Sequence, residues 1–485
     1  MWKRHLVLIH LAFQLALLLI LSNLSDNSIF TTGQDREYNV IGINDAEETS
    51  NSQILTNTPT PTPLPEPIPT STSTPPTTEA QAPKPYLNQE SEQIHTPPLS
   101  TQSPVQKPTI QPKPAPTSMP TPAPTPAPTP VPAAGGTKVV GYYAAWSAYS
   151  DFNPDKIDAS KLTHINYAFA NIGSDLRIKM GYPDIDPSNF SKLNALKKAN
   201  PHIKTLISVG GWSWSGKFSD VALTDESRTA FADSCVDFIV EHGFDGVDID
   251  WEYPVSGGMS GNSKRPEDKQ NFTLLMQKLR QRLDARGLID GKRYLLTFAG
   301  ASGSWYLDNV ELEKLHQYVD FGNIMTYDIH ATWDKYTDLN APLYNNSDYS
   351  PQKKWSVDAS VKAWLKAGFP SNKLIMGVPF YGYRYTSVSN KNNGLYQTHT
   401  GGSSVAYSDL AANYLSDSGY LRYFSNESMV PWLFNGSTFI SYDDEQSMGL
   451  KAQYIKNSKL GGAMIWELSQ DPNRVLLNAL YQNLK

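Results

Sequence analysis

The chain of 485 residues contains one cysteine, Cys235, so no disulfide can close within it. Cys235 sits in the apolar run FADSCVDFIV, where the thiol is expected inside a buried helix rather than acting as a nucleophile. Basic charge is scarce as well. The formal net charge is −6 and the isoelectric point is near 5.9, which leaves no positive field for nucleic acid. There is no glycine-rich phosphate loop and no Cys/His ligand spacing, so neither a cofactor nor a metal is expected. Aromatic residues are missing from a long stretch. Tyr86 is the only one between Asn57 and Lys138, whereas 10 of the 11 tryptophans follow that point.

The same stretch holds 24 of the 36 prolines, from Pro59 to Pro132, among Thr, Ser, Ala and Gln. Such a segment cannot bury enough apolar surface to offset its ordering entropy. Its most regular part, PTPAPTPAPTPVP, reads as a semi-rigid polyproline spacer. Residues 27–137 are therefore expected to be a disordered Pro/Thr-rich linker. The N-terminal MWKRHLVLIHLAFQLALLLILSN places two basic residues before an apolar run from Leu6 to Leu21. Residues 1–26 read as a signal peptide. The run is slightly short for a spanning helix and no clean small-residue cleavage site follows it. An uncleaved signal-anchor, tethering the protein to a membrane through residues 6–21, is the alternative. Either way the bulk of the chain is expected to be exported and extracellular, and a monomer.

What remains, residues 138–485, is ample for one large core. Eight short apolar runs recur in it: 138–146, 162–172, 204–212, 243–254, 294–300, 319–328, 373–382 and 461–468. Several are near-continuous Val, Ile, Leu and Phe, as strands buried on both faces require. Helical patterns such as SRTAFADSCVDFIVEHG and KQNFTLLMQKLRQRLDARG lie between them. This alternation predicts an α/β fold, a (β/α)8 TIM barrel. The interval from Tyr383 to Leu460 is too long for one crossover helix and rich in tyrosine. It predicts a small α+β insertion (384–440) between the seventh and eighth strands, followed by a returning helix over 442–457. Polar and aromatic residues gather where the strands end. Trp146, Trp212, Glu252, Tyr327 with Asp328, Tyr381 and Trp466 are each expected to close one, on the rim where barrel enzymes carry their chemistry.

The densest signal is FDGVDIDWEYP (244–254). Side chains alternate along a strand, so Asp248, Asp250 and Glu252 are predicted to share one face. Carboxyls so close repel when ionised, which raises at least one pKa and leaves a proton to share. A carboxylic acid protonated near neutrality is what cleavage of a glycosidic bond needs. A charged edge strand or a metal-binding acidic cluster is the plainer reading. The apolar neighbours Phe244, Val247, Ile249 and Trp251 argue against a solvated acidic run.

With these residues in view the chain resembles a bacterial-type chitinase of glycoside hydrolase family 18. The family's Asp-x-x-Asp-x-Asp-x-Glu signature stands as Asp245, Asp248, Asp250 and Glu252, and its Ser-x-Gly-Gly motif as Ser208, Gly210 and Gly211. The Met-x-Tyr-Asp motif is Met325, Tyr327 and Asp328, and the last-strand tryptophan is Trp466. The resemblance implies hydrolysis of β-1,4 links in chitin or chito-oligosaccharides, with retention and through substrate assistance. It makes Glu252 the general acid and base. It makes Asp250 the group that orients the sugar's 2-acetamide, with Asp248 buried behind it to tune it. Tyr327 would donate to the acetamido oxygen, Asp328 and Met325 would contact the same sugar, and Trp466 would form its floor. Trp146, Trp212, Trp333 and Tyr381 are candidate subsite platforms, as are Trp214 and Trp305, with Trp333 and Tyr336 the best placed. Asp245 is expected to be structural, and Ser208, Gly210 and Gly211 to set backbone geometry beside the acids. Two rival functions stay open: hydrolysis of cell-wall or N-glycan N-acetylglucosamine on the same scaffold, and a non-catalytic chitin-binding lectin.

Overall fold

The structure, a computed structural model, describes residues 136–485. The expected leader or anchor and nearly all of the expected linker lie outside the described residues. In chain order the strands are β1 (Lys138–Ala144), β2 (His164–Ile172), β3 (Ile178–Lys179), β4 (Lys204–Gly210), β5 (Gly246–Asp250), β6 (Leu295–Ala301) and β7 (Phe321–Met325). They continue as β8 (Leu374–Pro379), β9 (Tyr381–Thr386), β10 (Gly401–Ala406), β11 (Leu421–Ser425), β12 (Val430–Phe434), β13 (Phe439–Ser441) and β14 (Gly462–Trp466).

Eight of these run parallel in the order β1-β14-β8-β7-β6-β5-β4-β2, and β1 pairs with β2 to close the ring. This is the (β/α)8 barrel that the eight apolar runs predict. Both faces of each strand are covered, one by the barrel interior and one by helices. Leu206, Ile207 and Val209 of β4 are accordingly all buried.

The outer helices bury apolar stripes. In the helix Asp268–Asp290, Phe272, Leu275, Met276, Leu279 and Leu283 fall on one face and are all buried. The helix Asp225–His242 is started by a reciprocal Thr224/Ser227 cap and stopped by Gly243, whose φ of 77° suits glycine. Cys235 is buried in that helix. Truncating a stripe residue such as Leu279 to Ala would cost about 2–5 kcal/mol.

Between β8 and β14 a second sheet, antiparallel in the order β10-β9-β13-β12-β11, stands out from the barrel. The helix Glu445–Asn457 then returns the chain. It is fastened by a fully buried ion pair in which Lys451 Nζ donates to both Asp443 oxygens at 2.7 Å.

Of the residues expected to close strands only Trp466 does, because the other strands end earlier than the sequence predicts. β1 stops at Ala144, which leaves Trp146 in the short helix Ala145–Ser150, and β7 stops at Met325, which leaves Tyr327 and Asp328 just beyond it. β4 stops at Gly210, because Gly210 (φ 102°) and Gly211 (φ 70°) leave the extended region. Trp212 therefore lies in the short helix Gly211–Trp214 rather than on the strand. β8 stops at Pro379, so Tyr381 opens the second sheet instead of closing the seventh barrel strand. β5 stops at Asp250, which leaves Glu252 just past the ladder and not on a strand face.

Candidate active site

Asp248 and Asp250 end β5 and Glu252 follows at the mouth of the barrel. They are 0%, 3% and 9% exposed, so all three carboxyls are withdrawn from water. Asp248 is the best supported. Its Oδ2 accepts the Tyr142 hydroxyl at 2.7 Å and the Ser208 hydroxyl at 2.8 Å, and its Oδ1 accepts Thr297 at 2.5 Å. Strand register explains this convergence. Ser208 and Thr297 are the Cα partners of Asp248 in β4 and β6, one on each side. Burial raises the Asp248 pKa, while these three donors pull it down.

Asp250 has the opposite environment. Its Oδ1 is buried and finds no partner among the described residues. Burial, followed by the charges of Glu252 and Asp248, holds its pKa well above the carboxylate range. The proton that neighbouring acids retain is therefore favoured on Asp250 over the donor-rich Asp248. Glu252 is pushed up to about 7, chiefly by burial, with the charge of Asp328 adding to the shift.

The glycines beside the acids have a steric reason. A Cβ on Gly210 would sit 2.4 Å from the Asp250 carbonyl oxygen and 2.5 Å from the Phe218 ring. One on Gly211 would meet the Phe169 ring at 2.6 Å. Asp245 lies apart, accepting from the Thr205 amide at 2.9 Å and from Lys197 at 3.0 Å, which binds β4 to the start of β5.

Across the mouth, Tyr327 and Asp328 follow directly after β7. Tyr327 is buried, and its hydroxyl pKa is raised by burial and then by the charge of Asp250. Asp328 Oδ1 accepts the hydroxyls of Tyr381 and, at 2.7 Å, Tyr383. Its amide donates to Asn340 Oδ1 at 2.9 Å. Tyr381 is only 6% exposed and reaches Asp328 with its hydroxyl, so it serves this carboxyl rather than presenting an open face.

Tyr327, Met325, Tyr381 and Trp466 belong to one apolar cluster with Phe169 and Tyr142. Trp466 stacks on Phe169 with ring centroids 5.7 Å apart, and Trp146 stands 6.4 Å from it at a tilt. Trp333 is 68% exposed and meets the Tyr383 ring edge-on. Trp212 is also exposed, but no ring of this cluster stacks on it among the described residues. The site thus gathers Asp248, Asp250, Glu252, Tyr327, Asp328, Met325, Tyr381, Trp466 and Trp146, with Trp333 beside Tyr383.

Tyr142, Thr297 and Tyr383 were not singled out from the sequence. Tyr383 had a visible signal, the alternating tyrosines of YGYRYT. Tyr142 had a weaker one, a tyrosine inside an apolar barrel strand whose hydroxyl must find a partner.

Buried, proton-retaining acids and a cluster of packed rings thus stand together at the carboxyl-end rim of the barrel, the end at which barrel enzymes carry their chemistry. The profile of Glycosyl hydrolases family 18 matches residues 138–471, and the chain belongs to that family. The chain is 45% identical over 416 residues to Chitinase A1 of Niallia circulans, which covers 73% of this chain and 59% of that protein. It therefore spans less than two thirds of that relative's length. Chitotriosidase-1 of Mus musculus is 36% identical over 352 residues, covering 69% of this chain and 73% of the relative. Among solved structures, a family 18 N-acetylglucosaminidase from Paenibacillus barengoltzii superposes with a TM-score of 0.67 at 40% identity. The match covers 72% of this chain and 100% of that one.

Proposed function

We propose that this protein is a chitinase that cleaves β-1,4 links between N-acetylglucosamine units, with Glu252 as general acid and base. One observation carries the reading: a buried Glu252 whose pKa is pushed up to about 7, next to an Asp250 with an unpartnered Oδ1. The first property supplies a proton near neutrality, and the second an acceptor for a ligand N–H. The relatives named as chitinases point the same way.

In the first step Glu252 gives its proton to the glycosidic oxygen while the 2-acetamido oxygen attacks the anomeric carbon. The bond to the leaving sugar breaks and an oxazolinium ion forms. As the cation develops, Asp250 yields its retained proton to the neighbouring Asp248, accepts the acetamido N–H and stabilises the positive charge growing there. Tyr327 donates to the acetamido group, Asp328 and Met325 border the same sugar, and Trp466 with Phe169 beneath it carries the ring's apolar face. In the second step water attacks the anomeric carbon, Glu252 takes its proton, and the oxazoline ring opens. Configuration is retained because the anomeric carbon is attacked twice. Trp146, Trp333 and Trp212 extend the platform outward from this centre.

A second reading is favoured by the solved relative from Paenibacillus barengoltzii, which is an N-acetylglucosaminidase. Here single sugars leave from a chain end. A product-length time course on chito-oligosaccharides decides between the two. Release of dimers and longer products supports the first, and monomer from the outset supports the second. Equal hydrolysis of a glucan without N-acetyl groups, or no inhibition by a thiazoline analogue of the intermediate at millimolar levels, refutes substrate assistance. Export, with residues 6–21 as leader or tether, belongs to the same proposal, because the substrate is an external polymer. Among the described residues no helix is long and apolar enough to cross a membrane.

A further inference from the structure

β5 ends at Asp250, so the peptide groups of Glu252 lie beyond the barrel's ladder and must find partners elsewhere. Two side chains supply them. Ser215 Oγ accepts the Glu252 N–H at 2.8 Å, and Asn262 Nδ2 donates to the Glu252 carbonyl at 2.9 Å. Ser215 follows β4, whereas Asn262 belongs to the loop that leaves Glu252 itself. The acid is thus gripped from two directions.

Each grip is itself fixed. Ser215 is fully buried, and its Oγ lies 2.8 Å from the Gly211 carbonyl and 3.0 Å from the Asp250 carbonyl. One hydroxyl therefore ties the exit of β4 to the backbone of both acids. On the other side the Ser263 amide donates to the Gly216 carbonyl at 3.0 Å, joining the two loops. Arg265 donates to Ser219 Oγ at 2.7 Å and to Asp220 at 2.6 Å. The buried Asp268 accepts Ser219 at 2.6 Å and the Arg265 amide at 2.8 Å. Gly258, with φ 68°, passes so near that a Cβ there would be 2.0 Å from the Glu252 carbonyl oxygen.

We propose that Ser215 and Asn262 are positioning residues for the reaction, fixing the Glu252 backbone from two loops so that its carboxyl stays aimed at the glycosidic oxygen. The proposal rests on the reading of Glu252 as the acid. It assigns the pair no contact with substrate. Because a misplacement of about 1 Å at a reacting group can lower rate by about a hundredfold, loss of either grip acts on turnover. Binding, which depends on the aromatic floor and Asp328, is left alone.

The test compares Asn262→Ala, Asn262→Asp and Ser215→Ala with the full-length protein on a chromogenic chito-oligosaccharide. The expected result is a fall in kcat of about 10- to 100-fold with KM within about twofold. Asn262→Asp should be as impaired as Asn262→Ala, since it keeps the shape but loses the donor. The alkaline limb of the kcat profile should move in all three, which a purely structural loss would not cause. Glu252→Gln is run beside them. If that variant turns over like the wild type, the underlying assignment of the acid fails. If it is inactive while Asn262→Asp keeps wild-type kcat and pH profile, the positioning role alone is refuted. Should Ser215→Ala fail to fold, the half-buried Asn262 position still decides.

Discussion

Glu252→Gln should separate stability from activity in a way that depends on pH. In the folded protein burial lifts Glu252 from 4.5 to about 7. Between those values the folded state keeps a proton that the unfolded chain releases, so the wild type loses stability as pH rises through this window and levels off above it. Each pH unit of separation is worth about 1.4 kcal/mol, which gives a loss of about 3 kcal/mol. Glutamine does not titrate and escapes it. For the 350 described residues, an unfolding entropy of about 2.1 cal/mol/K per residue converts this into about 4 °C. Thermal unfolding of both proteins at about pH 4 and about pH 9 reads the difference directly. The variant should gain about 4 °C on the wild type between the two conditions while its cleavage of chito-oligosaccharide is abolished. Wild-type turnover, for its part, should decline as pH rises past about 7, when the acid loses its proton. Melting curves that shift in parallel across this range would refute the argument that Glu252 is strained by ionisation.

Asp250→Asn should lower kcat by several orders of magnitude, measured on the same substrate, because the developing positive charge loses its counter-charge; unchanged kinetics would contradict the role. Gly210→Ala should destabilise the barrel by about 1–3 kcal/mol in denaturant unfolding, since its φ of 102° and the 2.4 Å approach to the Asp250 carbonyl both exclude a side chain. Tyr383→Phe should remove one of the two hydroxyls on Asp328. It should weaken substrate binding by about 1 kcal/mol, seen as a rise in KM of about fivefold.

The barrel was legible in the sequence because strands buried on both faces cannot hide their composition: runs such as LIMGVP have no polar side to disguise them. The acids were legible for a related reason. A carboxyl inside an apolar run is conspicuous, and three at two-residue spacing more so. The supports of those acids were not legible. Tyr142 meets Asp248 across 106 residues and Thr297 across 49, and only the ring closure and strand register bring them together. The early ends of β4, β5 and β8 were also missed, since an apolar run continues through Trp212, Trp251 and Phe380 after the ladder has stopped. Trp251 and Phe380 pack as core without pairing as strand, whereas Trp212 turns out to the surface. Ser215 and Asn262 had no signal at all, being ordinary polar residues in ordinary loops.

The strand that begins the second sheet also carries the two tyrosines that brace Asp328. An engineer wishing to reduce the chain to its bare barrel would naturally excise that whole subdomain. Doing so would unmoor a carboxyl on the far bank of the site. Any such trimming has to begin after Tyr383, leaving the first few residues as a stub grafted to the barrel.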